Sequence, residues 1–290
     1  MIEDIEWGII FANDLVDPQK SIEMSELVAP YVDAIKIGIT TSMKHGVGIF
    51  RQIKERTGKI ELADFKVADI GFWNDKKKEW EGTNNKIVGE LVSAGADYVI
   101  CHTIVGSSSI QESVDTAHKQ GGKVLTLPYM SHVGADVFFD LPFPVEHAKK
   151  TLEPVGMGAV AEAIAKLQEE KNKNPEHWRL PYASVSDAIL LIGEHVKVDG
   201  YIGPANKLPV LKDYRKLSPF KNVFSPGVGR QDKTRTEEKQ LEELYDVLGI
   251  RSAAIIGSTI YKAEDPAAAA RSYMEMRNKI TKELKYKSAE

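Results

Sequence analysis

Residues 63–70 carry three charged side chains within six positions: Asp64, Lys66 and Asp69. The apolar run before them predicts a strand over Lys59–Asp64, so the charges fall at the carboxyl end of a strand. On an extended backbone, side chains two apart leave the same face, and Asp64 would stand beside Lys66. A carboxylate held beside an ammonium suits proton transfer. Asp69 follows the predicted turn, so it would point elsewhere or serve another site.

The same short pattern also occurs by chance at ordinary solvated strand ends, so its context decides how it is interpreted. Short β-rich runs alternate with amphipathic stretches almost from end to end. The predicted strands are Trp7–Ala12, Ala34–Gly38, Lys59–Asp64, Tyr98–Cys101, Lys123–Leu127, Gly200–Gly203, Asn222–Ser225 and Ala253–Gly257. The predicted helices include Ser21–Val32, Thr41–Arg56, Asn84–Ala94, Ser107–Gln120, Gly158–Lys171, Ser184–His195, Leu208–Leu217, Thr236–Leu248 and Pro266–Lys285.

Eight strands separated by helices predict an α/β fold, a closed (β/α)₈ TIM barrel with parallel strands. A doubly wound open sheet is the alternative, but no Gly-x-Gly-x-x-Gly motif follows the first strand. We expect the chain, residues 1–290, to form a single barrel domain. Two inserts interrupt the alternation in βα loops 3 and 5, at residues 71–82 and 137–183. Such inserts cover the site in many barrels, or else decorate the surface or contact another subunit.

The composition is that of a soluble globular protein, with 42% hydrophobic and 28% charged residues. A net charge of −4 argues against nucleic-acid or anionic-membrane partners, although a small anionic ligand needs only a local basic patch. The single cysteine, Cys101, excludes an internal disulfide and fits a reducing compartment. The acidic N-terminal stretch lacks the features of a signal peptide. These observations predict a cytoplasmic protein.

Catalytic groups of a barrel gather at the carboxyl ends of its strands, and here these ends are polar. Lysines and aspartates alternate on the first three strands, where each would hold its neighbour in the charged form. The glycine-containing loops after strands 7 and 8 could hold a phosphate on free backbone N–H groups. The polar groups at these ends include Asp14, Lys36, Asp64, Lys66, Ser131, Gln231, Gly257 and Ser258.

Several motifs, in this order, resemble those of the orotidine 5′-phosphate decarboxylases. They are Asp64-x-Lys66-x-x-Asp69-Ile70, Lys36 in Lys-Ile-Gly, the Met130-Ser131-His132 turn, and Ser225-Pro226-Gly227-Val228-Gly229 with Gln231. The last of these, together with Ile260-Tyr261 and Asp265–Ala269, is similar to the archaeal-type form. The resemblance covers nearly the whole chain apart from the two inserts.

The resemblance implies a homodimeric barrel that converts orotidine 5′-monophosphate to UMP without metal or organic cofactor. Lys66 would protonate carbon C6, Asp64 would face the substrate carboxylate, and Lys36 would tie Asp64 to the ribose. The remaining implied roles concern binding. Asp14 would bind ribose hydroxyls, Ser131 the pyrimidine, Gln231 both base and phosphate, and Pro226, Gly257 and Ser258 would line the phosphate side, while Asp69, Ile70 and Thr83 would reach into the partner's site.

The sequence departs from the family pattern at two places. An arginine normally follows the glycine of strand 8 and binds the phosphate, but Ser258 stands there. We hypothesise that Arg230, beside Gln231, supplies the missing cation. The insert of residues 71–82 also separates Ile70 from Thr83, which are normally only a few residues apart.

Two other functions are alternatives. The magnesium-dependent hexulose-phosphate synthases and keto-gulonate-phosphate decarboxylases share Asp-x-Lys-x-x-Asp, but they carry a glutamate where this chain has Lys36, which would repel the metal. A non-catalytic nucleotide-binding barrel is the other alternative, and the intact Lys/Asp set argues against it. His102 and His132 are candidate bases, although a strand-end histidine more often has a structural role. The tryptophans of the inserts, Trp73, Trp80 and Trp178, are expected to pack within the inserts or at a subunit contact.

Overall fold

The computed structural model describes residues 5–229 and 234–287, and in them eight parallel strands close into a barrel. Each strand pairs with the next along the chain, and the last pairs with the first through Gly8↔Ala253 to Phe11↔Ile256. The predicted TIM barrel is therefore confirmed. In chain order the strands are β1 Gly8–Asn13, β2 Ala34–Gly38, β3 Ile60–Val67, β4 Tyr98–Cys101, β5 Lys123–Thr126, β6 Gly200–Ile202, β7 Asn222–Pro226 and β8 Ser252–Ile256.

Helices surround the barrel and connect its strands. None in the described ranges is long and apolar enough to span a membrane. The helices around the barrel are Pro18–Val28, Ile39–His45, Ile49–Thr57, Thr83–Ser93, Ser107–Lys119, Val185–His195, Leu208–Leu217, Glu237–Leu248, Ser258–Tyr261 and Pro266–Lys287.

Strand side chains alternate between two apolar layers, as the two-residue period of a strand requires. One layer fills the barrel interior, and the other packs between strands and helices. On β2, Ala34 points inward and Ile35 outward, and on β3, Leu62 points inward and Ala63 outward. By the same two-residue period, the next inward positions toward the carboxyl ends are Lys36 on β2 and Asp64 on β3. Charged groups thus replace apolar ones at this end of the barrel interior.

Two predicted helices are wrong in their bounds. The stretch predicted as one helix, Thr41–Arg56, forms two, because Gly46 adopts a φ of 86° and the second helix starts only at Ile49. Glycine reaches this conformation without steric cost. The helix predicted at Ser21–Val32 starts earlier, at Pro18, because Asp17 caps it by accepting a hydrogen bond from the Lys20 N–H at 3.0 Å.

The first insert is a β-hairpin, which the sequence analysis did not predict. Trp73–Asn74 pairs antiparallel with Glu79–Trp80, and the two indole rings meet edge to face at 5.1 Å. Trp80 Nε1 donates a hydrogen bond to Asp115 Oδ2 at 2.8 Å, on the helix Ser107–Lys119. The hairpin therefore lies against a helix of its own barrel.

The second insert contains three helices, of which the longest confirms the predicted Gly158–Lys171 and extends it to Lys173. The two shorter ones are Asp136–Phe139 and Val145–Leu152. The buried Lys171 Nζ lies 2.7 Å from Asp187 Oδ2, and it also donates to the Tyr182 carbonyl at 3.0 Å. Asp187 belongs to the helix Val185–His195 of the barrel. One buried ion pair thus joins the insert to the barrel.

Replacing Lys171 with alanine is expected to destabilise the protein by about 3–5 kcal/mol, because it leaves the buried Asp187 carboxyl group without its counter-charge. The side chains of Lys171 and Asp187 are only 1% and 4% exposed. Chemical denaturation of the variant measures the loss. Lys149→Ala is the control, since Lys149 lies 3.9 Å from Glu146 on the surface of the same insert and should have little effect. Equal stabilities of the two variants would contradict this account of the insert.

Candidate active site

A cavity of about 270 Å³ lies at the carboxyl ends of the strands. Its walls combine charged side chains, glycine-containing loops and apolar strand residues. Eight of the residues singled out from the sequence line it: Asp14, Lys36, Asp64, Lys66, Ser131, Pro226, Gly257 and Ser258. The barrel topology accounts for this convergence, because neighbouring parallel strands bring residues distant in sequence to one mouth.

Four charges of alternating sign form a chain along one wall of this cavity. Lys36 Nζ lies 2.6 Å from Asp64 Oδ2 and 3.6 Å from Asp14 Oδ1. Lys66 Nζ lies 2.5 Å from the other oxygen of Asp64, Oδ1. The Asp64 carboxylate is therefore bonded by one ammonium on each oxygen, with its side chain only 15% exposed. Such charge-assisted bonds fix Lys36, Asp64 and Lys66 relative to one another, with Asp14 at ion-pair distance from Lys36.

The backbone of β3 departs from a regular strand where it presents these groups. The predicted strand ended at Asp64, but β3 continues to Val67. Its pairing with β4 jumps from Ala63↔Val99 to Val67↔Cys101, so three residues oppose one, and Lys66 has a φ of 47°. A non-glycine residue in this region costs roughly 1–3 kcal/mol and persists only where its surroundings hold it. The bulge accordingly directs both Asp64 and Lys66 into the cavity.

The electrostatic surroundings keep the pair Lys36 and Asp64 ionised. Burial favours the neutral acid of Asp64, but the ammonium groups of Lys36 and Lys66 outweigh it and lower the pKa of Asp64 to about 2. Burial would also favour a neutral Lys36. The carboxylates of Asp64 and Asp14 outweigh burial here too, and the pKa of Lys36 is raised. Lys36 and Asp64 therefore stay charged throughout the physiological pH range.

An apolar floor completes the cavity, and the sequence analysis did not assign it to the site. It consists of inward-facing strand residues: Ala12, Ile100, Leu127, Ile202 and Ile255. The two-residue alternation along each strand was the signal that could have located them. An apolar floor beneath a charged wall suits a ligand with a flat apolar ring and anionic substituents.

Three predicted residues do not line the cavity of their own chain. Asp69 and Ile70 lie beyond the end of β3 and are exposed, and Thr83 begins the helix Thr83–Ser93. Two further predicted residues, Arg230 and Gln231, lie outside the described residues.

The glycine loops after β7 and β8 lie side by side at the cavity, because β7 and β8 are paired neighbours in the barrel. Gly227 and Gly229 have φ values of 116° and 86°, which glycine adopts most readily. Ser258 and Thr259, on the loop after β8, line the cavity next to Gly227, and the Tyr273 hydroxyl donates to Thr259 Oγ1 at 3.1 Å. Thr259 was not among the predicted site residues. These loops offer hydroxyls and N–H groups to an anion.

The described cavity wall includes no residue of either insert. The second insert nevertheless contacts the wall from outside, since the Arg179 guanidinium lies 5.3 Å from the ring centroid of Tyr129 and Phe139 packs on the same ring. Trp178 lies between the insert and the barrel, since Lys171 of the insert and Lys216 of the barrel helix Leu208–Leu217 both lie over its ring. The inserts therefore support the wall or the surface, and do not cover the cavity in this conformation.

The two candidate histidines differ in surroundings. His102 Nδ1 accepts a hydrogen bond from the Ile104 N–H at 3.4 Å, and its ring stacks on Phe139. Burial and the nearby Lys66 charge lower the pKa of His102. His132 is exposed and outside the cavity lining. These contacts support a structural role for His102.

Within residues 5–229 and 234–287, no three His, Cys, Asp or Glu side chains converge as a metal site.

A closed parallel barrel with charged groups held in its mouth is typical of barrel enzymes, whose catalytic groups lie at the carboxyl ends of the strands. The chain belongs to the orotidine 5′-phosphate decarboxylase / HUMPS family, whose model matches residues 8–273.

Relatives of the same name as the family agree with this assignment. The chain is 29% identical over 265 residues to the orotidine 5′-phosphate decarboxylase of Methanococcus maripaludis, covering 91% of this chain and 94% of the relative. It is 27% identical to that of Methanocaldococcus jannaschii, covering 93% and 99%. A crystal structure of the M. jannaschii orotidine 5′-monophosphate decarboxylase, complexed with the inhibitor BMP, superposes with a TM-score of 0.68 at 26% identity, covering 95% of this chain and all of that one.

The low pKa of Asp64 predicts a pH-dependent contribution to stability. Its folded pKa is about 2 and its ordinary value is 3.8, so the contribution is present above about pH 3.8 and lost as the pH falls toward 2. The difference in unfolding free energy between wild type and Asp64→Asn should therefore shift by on the order of 2 kcal/mol between pH 4.5 and pH 2. Urea denaturation at several pH values measures it. A difference that does not change with pH would show that the two lysines do not stabilise the Asp64 carboxylate.

Proposed function

We propose that this protein decarboxylates orotidine 5′-monophosphate to UMP in pyrimidine biosynthesis. The observation that carries the proposal is the alternating chain Asp14–Lys36–Asp64–Lys66 in the mouth of a barrel of this family. The relatives in M. maripaludis and M. jannaschii are orotidine 5′-phosphate decarboxylases. The apolar floor suits the pyrimidine ring, and the glycine loops suit the phosphate.

In the proposed reaction, the bond between carbon C6 and the substrate carboxylate breaks, and its electron pair stays on C6 while CO₂ leaves. Lys66 then gives a proton to C6, and solvent later restores the proton to Lys66. An ammonium already fixed beside the site stabilises the developing carbanion without reorganisation. Asp64 faces the substrate carboxylate, whose negative charge disperses as CO₂ departs.

The remaining site residues bind the substrate in this proposal. Asp14 accepts hydrogen bonds from ribose hydroxyls, and Lys36 links the ribose to Asp64. Ser131 bonds the pyrimidine, and Gln231 bridges base and phosphate. On the phosphate side, loops contribute Pro226, Gly257 and Ser258, and Arg230 supplies the cation that Ser258 lacks.

We further propose a cytoplasmic homodimer with shared active sites, in which Asp69, Ile70 and Thr83 reach the partner's cavity. Two features support it. The Asp69 side chain is exposed and lies outside its own cavity. Beside it, the large apolar side chains of Ile70 and Phe72 are 65% and 54% exposed, which is common at subunit contacts.

A magnesium-dependent reaction of the sister enzymes is the alternative function. It is less well supported because Lys36 already neutralises Asp14 and Asp64, the carboxylates that would have to hold the metal. An ultraviolet assay for the loss of orotidine 5′-monophosphate, run with and without EDTA, tests the proposal. Turnover unaffected by EDTA supports it, and absence of turnover in both arms would refute it.

Lys66→Ala should abolish turnover while the fold and the binding of UMP largely survive, because the variant lacks the proton donor at C6. Lys66→Arg should fail almost as severely, since a guanidinium stays protonated and has a different shape. The ultraviolet assay measures turnover, and calorimetry measures UMP binding. Decarboxylation within about tenfold of wild type would remove Lys66 from the proposed role.

Mixing inactive Lys66→Ala with inactive Asp69→Ala subunits should restore activity, because one site of each hybrid dimer receives both wild-type residues. With random pairing in a twofold-symmetric dimer, recovery should approach about a quarter of wild type. The assay follows activity after subunit exchange, which mass spectrometry of tagged subunits verifies. If exchange is complete and activity stays absent, the site is not shared.

A further inference from the structure

Side chains, not backbone pairing, fix the main chain of Asp69. The Asp69 N–H donates to Asn84 Oδ1 at 3.1 Å, and the Asp69 carbonyl accepts from Ser109 Oγ at 2.7 Å. Asn84 lies on the helix Thr83–Ser93 and Ser109 on the helix Ser107–Lys119. Both polar groups of one peptide residue are thus held from two separate helices.

The two holding side chains form one buried network. Asn84 is fully buried and Ser109 is 5% exposed. Asn84 Nδ2 donates to the Ser109 carbonyl at 3.1 Å, and Ser109 Oγ also accepts from the Gly71 N–H at 3.0 Å. Loss of either side chain would leave partly buried backbone groups without that partner, which costs more than loss of a fully exposed hydrogen bond.

The same network closes the base of the hairpin insert. Gly71 and Gly82, its first and last residues, have no room for a side chain: a Cβ would lie 2.4 Å from the Ser108 carbonyl oxygen or 2.5 Å from the Ile70 carbonyl oxygen. The Gly82 N–H donates to Glu112 Oε1 at 2.6 Å. The hairpin insert therefore begins and ends at two fixed points of the barrel, Gly71 and Gly82, and it does not displace Asp69.

With its backbone fixed, Asp69 directs its side chain outward. Its Oδ1 accepts a hydrogen bond from the Ile70 N–H at 2.7 Å, and the side chain is exposed. A carboxylate that acts in a neighbouring subunit must be placed within a fraction of an ångström, and its own subunit has to provide that rigidity.

We propose that Ser109 and Asn84 are positioning residues, which act through Asp69 on the active site of the other subunit. The inference rests on the proposed function, in which Asp69 completes the partner's site. It also explains how the chain tolerates twelve residues, 71–82, between Ile70 and Thr83. The insertion point lies outside the bonds that hold Asp69.

Ser109→Ala tests the proposal, with Ser113→Ala as the matched control. Ser113 is buried on the same helix, and its Oγ donates to the Ser109 carbonyl at 2.9 Å and also contacts the Cys101 thiol, away from Asp69. A misplaced catalytic group lowers the rate by up to about 100-fold, so kcat/KM of Ser109→Ala should fall about 10- to 100-fold, while Ser113→Ala stays near wild type. Amide hydrogen exchange at Gly71 should accelerate in Ser109→Ala alone, because Ser109 Oγ accepts from that N–H.

The decisive measurement mixes Ser109→Ala with inactive Lys66→Ala subunits. In the hybrid, the site that keeps Lys66 receives Asp69 from the subunit with an intact Ser109. Activity should therefore rise to about a quarter of wild type, as in any one-site hybrid. A defect that acts within its own subunit would not be rescued, because the Ser109→Ala subunit also carries the Lys66.

Each outcome decides the question. If Ser109→Ala matches Ser113→Ala in kcat/KM, or is impaired without rescue while the Asp69→Ala mixture recovers, the positioning role is wrong. If the Asp69→Ala mixture also fails, the shared site itself is wrong, and if wild type lacks turnover the proposed function is wrong. Should Ser109→Ala not fold, Asn84→Ala enters the same mixture, and rescue or its absence decides in the same way.

Discussion

The Asp64 carboxylate between two ammonium groups is the interaction on which the site depends. One oxygen contacts Lys36 and the other Lys66, so both lysines are held in place by one acid. Removing that acid would leave Lys36 buried beside Asp14 alone. The arrangement is therefore not a set of separate groups with separate roles. Its charges are mutually dependent, and the barrel must bring three strands together to form it.

The sequence predicted this part of the molecule well, for a physical reason. The two-residue period of a strand is a local signal, and the alternation of strands and helices is repetitive, so the inward positions of β1–β3 follow from the apolar pattern. Seven of the eight strands begin and end within one residue of their predicted bounds. The exception is β3, which extends three residues past Asp64. Its bulge depends on contacts with β4 and on a positive φ at Lys66, which no residue pattern encodes.

The inserts were beyond sequence analysis for a different reason. A hairpin of two-residue strands has too few residues for a periodic signal, and its place is set by distant contacts such as Trp80 with Asp115. The break at Gly46 inside a predicted helix was readable in principle, since glycine before a second glycine two positions later favours a turn. The inward-facing residues of the apolar floor could also be predicted from their alternation along the strands. That alternation does not show which of them line a ligand cavity.

The strain at Lys66 and the buried charges of the wall have a common consequence. The positive φ at Lys66 and the desolvation of Lys36 and Asp64 both oppose folding, so the ion pairs themselves and the stability of the rest of the barrel must offset them. Two continuous apolar layers, one inside the strands and one outside, provide that stability. As a result, the ammonium of Lys66 is oriented before any ligand arrives, and it does not have to reorganise when a ligand binds. Preorganisation of this kind requires a rigid scaffold, and a closed barrel without free sheet edges is well suited to it.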